Sequence, residues 1–250
     1  MITVSIIGSG NVAQHLILAF KNASEINLVE VYARDKKSVE HLLDSHQIVT
    51  YIEDLKAVDI CIIAVSDGAI ASVSQSLPFQ NTLVAHTSGS IPITELSNKN
   101  RKAVFYPLQT FSKNKSVDFS GIPICIEGEN EEDLALIEKA AHSISNVVVP
   151  IDSHQRKVLH VAAVFVNNFV NHLYAIGSEI CLENEIPFAI LKPLIAETAA
   201  KIQTLIPSEA QTGPAKRKDQ HTIQAHLEVL QNDNQKAIYR LLTKSIQSHE

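Results

Sequence analysis

The residues best suited to chemistry stand at the start of the chain. Gly8-Ser9-Gly10-Asn11-Val12-Ala13 follows directly on the apolar run Val4-Ser5-Ile6-Ile7 and opens a helix-forming stretch. A glycine-rich turn between a strand and a helix suits a pyrophosphate. Gly8 lets the chain leave the strand tightly, and Gly10 lets backbone approach the phosphates. The small Ala13 lets the new helix pack closely on the sheet. Free N–H groups at the helix start, around Asn11 and Val12, then face the negative charge. The expectation is a dinucleotide site.

The second predicted strand, Leu28–Ala33, indicates which dinucleotide. Many NAD sites place an acid at its end to bind the ribose 2′-OH. Here the strand runs into Arg34-Asp35-Lys36-Lys37. A guanidinium at that point suits a 2′-phosphate through bidentate, charge-assisted bonds, which favours NADP over NAD. Glu30 is the acid to consider if the strand ends early, and a loop arginine can also be simply solvated.

Two further loops follow predicted strands and reach the same edge. In Val65-Ser66-Asp67-Gly68, Ser66 and Asp67 could meet the cofactor ribose or diphosphate, or cap the helix beginning near Gly68. His86-Thr87-Ser88-Gly89-Ser90 brings small polar groups to where a nicotinamide would lie. His86 there is either a general acid or a structural histidine. Near the end, Thr212-Gly213-Pro214-Ala215-Lys216-Arg217-Lys218-Asp219 forms a rigid turn. Arg217 could hold a substrate carboxylate or the cofactor phosphates with Asp219 orienting it, or Asp219 could be a helix cap on an exposed turn.

The elements that position these residues fall into two halves. Over 1–150, strands at Ile2–Ile7, Leu28–Ala33, Asp59–Val65, Thr82–His86, Ala103–Tyr106, Ile122–Glu127 and Val147–Val149 alternate with helices. The helices are expected at Val12–Lys21, Ser38–Leu43 and Glu131–Ser145. This pattern predicts an α/β, Rossmann-type, doubly wound and mostly parallel sheet with a ligand crevice at the strand carboxyl ends. After Pro150 strand signals cease. Ser153–Glu185, Ile190–Ile206, Thr222–Leu230 and Asp233–Gln247 predict an all-helical second domain over 151–250. Its first helix is apolar on several sides, which suits burial against a second subunit; a homodimer is expected.

Composition narrows the partners. The net charge of −6 and pI near 6.0 disfavour a nucleic-acid binder. Cys61, Cys125 and Cys181 have no metal-ligand spacing and suit buried, reduced thiols, so no metal is expected. With no basic leader and apolar stretches judged short of a span, the expected location is the cytoplasm, away from membranes.

Five motifs occur together: the glycine turn, His86-Thr87-Ser88-Gly89, Pro107-Leu108-Gln109-Thr110-Phe111, His160-Val161-Ala162-Ala163 with Asn168, and Thr212-Gly213-Pro214 with Arg217 and Asp219. Along the full length they resemble a group of Rossmann-like proteins with a C-terminal helical domain of unknown function. That group is similar to pyrroline-5-carboxylate reductase and to the 6-phosphogluconate dehydrogenase-like superfamily. The resemblance implies an NADP-dependent oxidoreductase whose helical domain helps form dimers and closes over the nicotinamide. Two departures stand out. Tyr106 sits where relatives commonly carry His. Val164 stands four residues before Asn168, where hydroxyacid dehydrogenases of the superfamily place a catalytic lysine, so that mechanism does not transfer.

By helical spacing His160, Val164, Asn167 and Asn171 share a face, with Asn168 at its edge. Polar groups on an apolar helix are costly to bury unless satisfied. Facing the crevice, His160 could donate a proton as hydride reaches a C=N or C=O carbon, with Asn167 or Asn168 orienting the substrate; otherwise the stripe is a hydrogen-bonded network. The expected activity is reduction of a small, anionic imine or carbonyl compound. The alternative is a non-catalytic NADP-binding sensor or scaffold.

Overall fold

The structure, a computed structural model, describes residues 1–113 and 115–248. Its strands are β1 (Ile2–Ile7), β2 (Ile26–Tyr32), β3 (Ile48–Val49), β4 (Ile60–Ile63), β5 (Leu83–His86), β6 (Arg101–Pro107), β7 (Ile124–Gly128) and β8 (Val148–Pro150). They form one eight-stranded sheet in the order β3-β2-β1-β4-β5-β6-β7-β8. Neighbours run parallel except β6 and β7. Strand order reverses between β1 and β4, so the crevice opens at their carboxyl ends.

The unbroken apolar runs follow from a sheet covered on both faces. Ile6, Ile62 and Ala85 pack with Leu16, Ile17 and Phe20 of α1 (Asn11–Asn22). Their chain neighbours Ile7, Ile63 and Val84 join the opposite cluster with Ile70, the first residue of α2 (Ile70–Gln75). Each fully buried side chain of this size contributes about 1.5–3 kcal/mol. A rigid sheet thus carries the loops at its edge.

Two local expectations change. Ser38–Leu43 is a run of turns after a 3₁₀ turn at Lys36–Ser38, not a helix. The Asp35 carboxylate accepts from the Lys37 N–H, and the Ser38 hydroxyl donates to the Asp35 carbonyl, so side chains compete for backbone groups a helix would use. β3 was not expected, because two residues carry no periodicity.

Beyond β8 the regular elements are helical. Asp152 and Gln155 form a reciprocal capping box at the start of α4 (Ser153–Ala163). A π-helical turn (Val164–Phe169) joins α4 to α5 (Val170–Glu183). Then come α6 (Lys192–Lys201), α7 (Pro207–Ala210), α8 (Gln220–Val229) and α9 (Asp233–Ser248); the remaining helix, α3 (Glu131–His142), lies between β7 and β8. The π turn breaks the 3.6-residue register, so the alignment expected from His160 to Asn171 does not carry through.

The helix from Ser153 to Glu183 spans 31 residues, with mean hydropathy 1.2 over an 18-residue window and none of that window buried. It is long and apolar enough to cross a membrane by length and composition, which corrects the expectation that no stretch reaches that length. His160 and the pairs Asn167-Asn168 and Asn171-His172 interrupt the apolar runs, yet the surrounding Val, Leu, Ile and Phe keep the average high. Contacts divide the chain into two compact units, residues 1–167 and 168–250. Element type changes at Pro150, whereas contacts change one helix later.

Candidate functional site

A cleft of about 760 Å³ lies at the crevice, lined by the glycine turn from Gly8 to Val12, by Ala33, Arg34, Val65 and Ser66, and by Thr87. Gly8 has φ +132°, and a Cβ there would stand 2.2 Å from the Ala64 carbonyl oxygen. Its N–H donates to Tyr32 O at 2.9 Å, so the turn is fixed to the end of β2. At Gly10, by contrast, a Cβ would meet no protein atom within 4 Å. Glycine there leaves open space before the first turn of α1, which has neither a side-chain cap nor an acidic residue. Its N–H groups and positive dipole end are therefore available to an anion. The turn fits a pyrophosphate.

Arg34 is exposed at the rim and has no ion pair among the described residues. β2 ends at Tyr32, which puts Arg34 just past the strand. Glu30 is buried in mid-strand and accepts the Lys56 N–H at 2.5 Å, so it is not the ribose acid. Gln14, unremarked in the sequence, donates to Ser9 O at 2.9 Å and Ser38 O at 3.1 Å. It ties the glycine turn to the loop carrying Arg34.

The other expected cofactor residues divide. Val65, Ser66 and Thr87 line the cleft; Asp67 is exposed and starts a 3₁₀ turn outside the lining. Ser66 makes no side-chain cap. The Asn11 amide donates to Phe111 O at 2.8 Å, and His15 Nε2 lies 3.1 Å from Ser112 O, so these side chains anchor the loop after β6. Ser88 is buried, and its Oγ accepts the N–H groups of Ser90 and Ile91 at 3.0 and 3.1 Å. That hydroxyl shapes its own loop.

His86 is structural. It is buried, and its Nδ1 accepts the Ser88 N–H at 3.2 Å. Burial first, then the Arg156 charge, pull its pKa down to about 4, with the Pro92 backbone acting in the opposite direction. It is uncharged at neutral pH.

A second constellation gathers around Gly89. Tyr106 Oη lies 3.0 Å from His160 Nδ1, and the two rings meet edge-to-face with centroids 6.0 Å apart. A Cβ on Gly89 would stand 2.6 Å from His160 Nδ1 and 2.8 Å from Tyr106 Cζ. Burial, with smaller contributions from Cys125 and Asp67 against the opposing Arg156 charge, pushes the Tyr106 phenol up to about 12. One turn before His160, buried Arg156 pairs with Glu127 of β7 and donates to Ile91 O at 2.6 Å. Ser153 donates to the same carboxylate at 2.8 Å and accepts the Ile93 N–H at 3.0 Å. This network pins α4 to both β7 and the loop after β5. Sequence reasoning missed Tyr106 and Arg156 as site-building residues. The available signals were the departure at 106 and the four-residue spacing between Arg156 and His160.

Asn167 and Asn168 are exposed in the π turn, on either side of the contact boundary. In the second unit, Asp219 caps α8, accepting the Thr222 N–H at 3.1 Å and the Thr222 hydroxyl at 2.7 Å. Those bonds, side-chain first, hold its carboxyl below the usual range, with Arg217 and His221 adding less. Gly213 takes φ +102° at the turn, and Arg217 is exposed.

Two family models match: "NADP oxidoreductase coenzyme F420-dependent" over residues 3–88, and "Domain of unknown function (DUF2520)" over residues 122–246. BF3122 of Bacteroides fragilis, which carries the name NADP oxidoreductase, is 38% identical with TM-score 0.91, covering 99% of this chain and 98% of that one. The chain belongs to the DUF2520 family.

The sheet with a helical C-terminal region is therefore the family's fold, and its oxidoreductase class is that of the N-terminal match. More distant structures share the fold alone. The imine reductase of Myxococcus stipitatus in complex with NADP+ has 15% identity and TM-score 0.62, covering 98% of this chain and 92% of that one. Plasmodium falciparum pyrroline carboxylate reductase with NADP bound has 12% identity and TM-score 0.62, covering 99% and 100%. No curated protein sequence matched.

Proposed function

We propose that this DUF2520 member is an NADP-dependent reductase of a small, anionic imine or carbonyl compound. The observation that carries the cofactor choice is Arg34, exposed on the cleft rim without an ion pair among the described residues, while Glu30 is buried and engaged elsewhere. The N–H groups after Gly10 hold the pyrophosphate, Arg34 holds the 2′-phosphate, and Thr87 borders the nicotinamide. Bound in its reduced form, the cofactor supplies a hydride. His160 is the side chain that we assign as the source of the accompanying proton. The names of the two NADP-bound neighbours favour a C=N substrate.

The same reading makes the protein a homodimer. Val158, Val161 and Phe165 are each more than half exposed on the long helix, as are Ile190 and Leu194 beyond it. Apolar surface on this scale calls for a partner. A bilayer suits this helix less than a second copy, because His160, Asn167, Asn168 and Asn171 would face hydrocarbon. Three buried, free cysteines fit a reducing compartment, here the cytoplasm. Sedimentation as a monomer at micromolar concentration would remove the dimer.

Calorimetric titration tests the cofactor. NADPH should bind more tightly than NADH, and Arg34→Ala should weaken NADPH about 10–100-fold, as loss of charge-assisted bonds predicts, without altering NADH. Equal binding of both cofactors by the unaltered protein overturns the NADP assignment. A panel of imino acids and small oxo acids then tests turnover; tight NADPH binding without turnover of any member would indicate a sensor.

A further inference from the structure

We propose that Tyr106 delivers the proton in this reduction and that His160 passes a proton to it through the Nδ1–Oη contact. The inference rests on the reductase reading above and adds a residue and a direction of transfer. Tyr106 sits near the carboxyl end of β6. That is the ligand edge, because β1, β4, β5 and β6 all run parallel. Its phenol, pushed up to about 12, keeps its proton at any pH where the fold operates. It is therefore an O–H donor and not a base. Its 3.0 Å contact with His160 joins it to an imidazole that is partly exposed and so within reach of water.

The pair is held in place from three sides. Gly89 has no side chain, and any Cβ there would press on both rings. Arg156 fixes α4 one turn before His160 by its bonds to Glu127 and Ile91. β7 supports Tyr106 through the antiparallel pairing of Tyr106 with Cys125. Such triple support for one hydroxyl–imidazole contact suits a group that must be aimed.

A hydroxyl carries one proton and accepts through its lone pairs. If Tyr106 spent its proton on Nδ1, none would remain for a substrate. The direction of the bond follows: Nδ1 of His160 bears the proton and donates to Oη. In the reaction, hydride from reduced NADP forms the new C–H bond, and the C=N or C=O π pair moves onto the heteroatom. That atom takes the Tyr106 proton, Oη takes the Nδ1 proton, and Nδ1 of His160 takes one back from solvent, which restores the starting tautomer. One hydride and one solvent proton are consumed.

The test uses full-length protein with ¹⁵N-labelled histidine, unaltered and as Tyr106→Phe and His160→Gln. NMR reads the protonation of His160 Nδ1 with and without NADP+, and the His160→Gln spectrum assigns the signal. NADPH fluorescence reads cofactor binding, and 1-pyrroline-2-carboxylate serves as the turnover probe. Expected are a protonated Nδ1 and NADPH affinity within about twofold in all three proteins. Tyr106→Phe should lower kcat about 100–1000-fold, as for a lost general acid, with KM little changed. His160→Gln should lower kcat less, since water can reload the phenol. Absence of NADPH binding overturns the reductase reading itself. NADPH binding with a bare Nδ1 overturns the pair and leaves that reading standing, as does a Tyr106→Phe protein with unchanged kcat. If the probe is not turned over, the state of Nδ1 decides alone.

Discussion

Gly8 and Gly89 lie on the same sheet edge, and neither position has room for a side chain, but the obstructing neighbours differ. At Gly8 the obstacle is backbone: the Ala64 carbonyl would stand 2.2 Å from a Cβ. At Gly89 the obstacles are the His160 and Tyr106 rings, 2.6 and 2.8 Å away. The first glycine is demanded by the close passage of two strand ends, which a strand–turn–helix of this topology creates by itself. The second is demanded by two particular side chains. One belongs to the fold; the other belongs to the pair of side chains to which we assign the proton.

Breaking the backbone case should have the largest effect. Gly8→Ala adds a Cβ where φ is +132° and neither contacting backbone atom can rotate away. Strain of this kind costs about 1–3 kcal/mol before the clash is counted, so a loss of at least about 3 kcal/mol is expected in urea melts. NADPH binding should be lost with it. A stable Gly8→Ala protein with normal NADPH affinity would show that the turn can open, and the contrast with Gly89 would fail.

The Gly89 side can be loosened without touching Gly89, through pH. His86 Nδ1 holds the Ser88 N–H, and its pKa is lowered from 6.5 to about 4 in the fold. The folded state thus binds this proton less readily than the unfolded chain. Its contribution to stability is complete above about pH 6.5, declines as the pH falls towards 4, and then levels off. A shift of this size amounts to about 3 kcal/mol. Urea midpoints between pH 7 and 4 should fall for the natural chain, and His86→Gln should lack this part of the slope. Parallel slopes for the two proteins would mean that His86 does not govern the loop.

These two regions were unequally legible in the sequence. Gly8, Gly10 and Arg34 could be placed because their meaning is local, set by a strand, a turn and a strand end within the first few dozen residues. The buried strands could be placed because both faces are covered, leaving unbroken apolar runs such as Ile60–Ile63. Ser88 was assigned to the cofactor, yet it spends its hydroxyl on its own loop; the Asn11 side-chain amide is likewise spent on Phe111, while Asn11 itself still lines the cleft at the helix start. A polar side chain near a ligand edge does not reveal which acceptor it will choose. The Tyr106–His160 contact joins β6 to α4 across a long stretch of chain, and no period or spacing encodes it. The π turn after α4 likewise defeats any face drawn at 3.6 residues per turn.

The smallest expected effect comes from Gly89→Ala, and it sharpens the comparison most. The obstacles are side chains, and side chains can shift, so overpacking should cost about 1–3 kcal/mol and leave the protein folded. NADPH affinity should stay near that of the natural chain, because the glycine turn and Arg34 are untouched. The displaced rings should nevertheless lose their hydrogen bond, and kcat should fall. Adding His160→Ala to Gly89→Ala removes one of the two obstacles. If the imidazole is what Gly89 makes room for, the double variant should lose less stability than the two single losses added together, by about 1 kcal/mol, while kcat stays low. Additive losses would mean that the rings were not in the way, and that Gly89 answers to its backbone as Gly8 does.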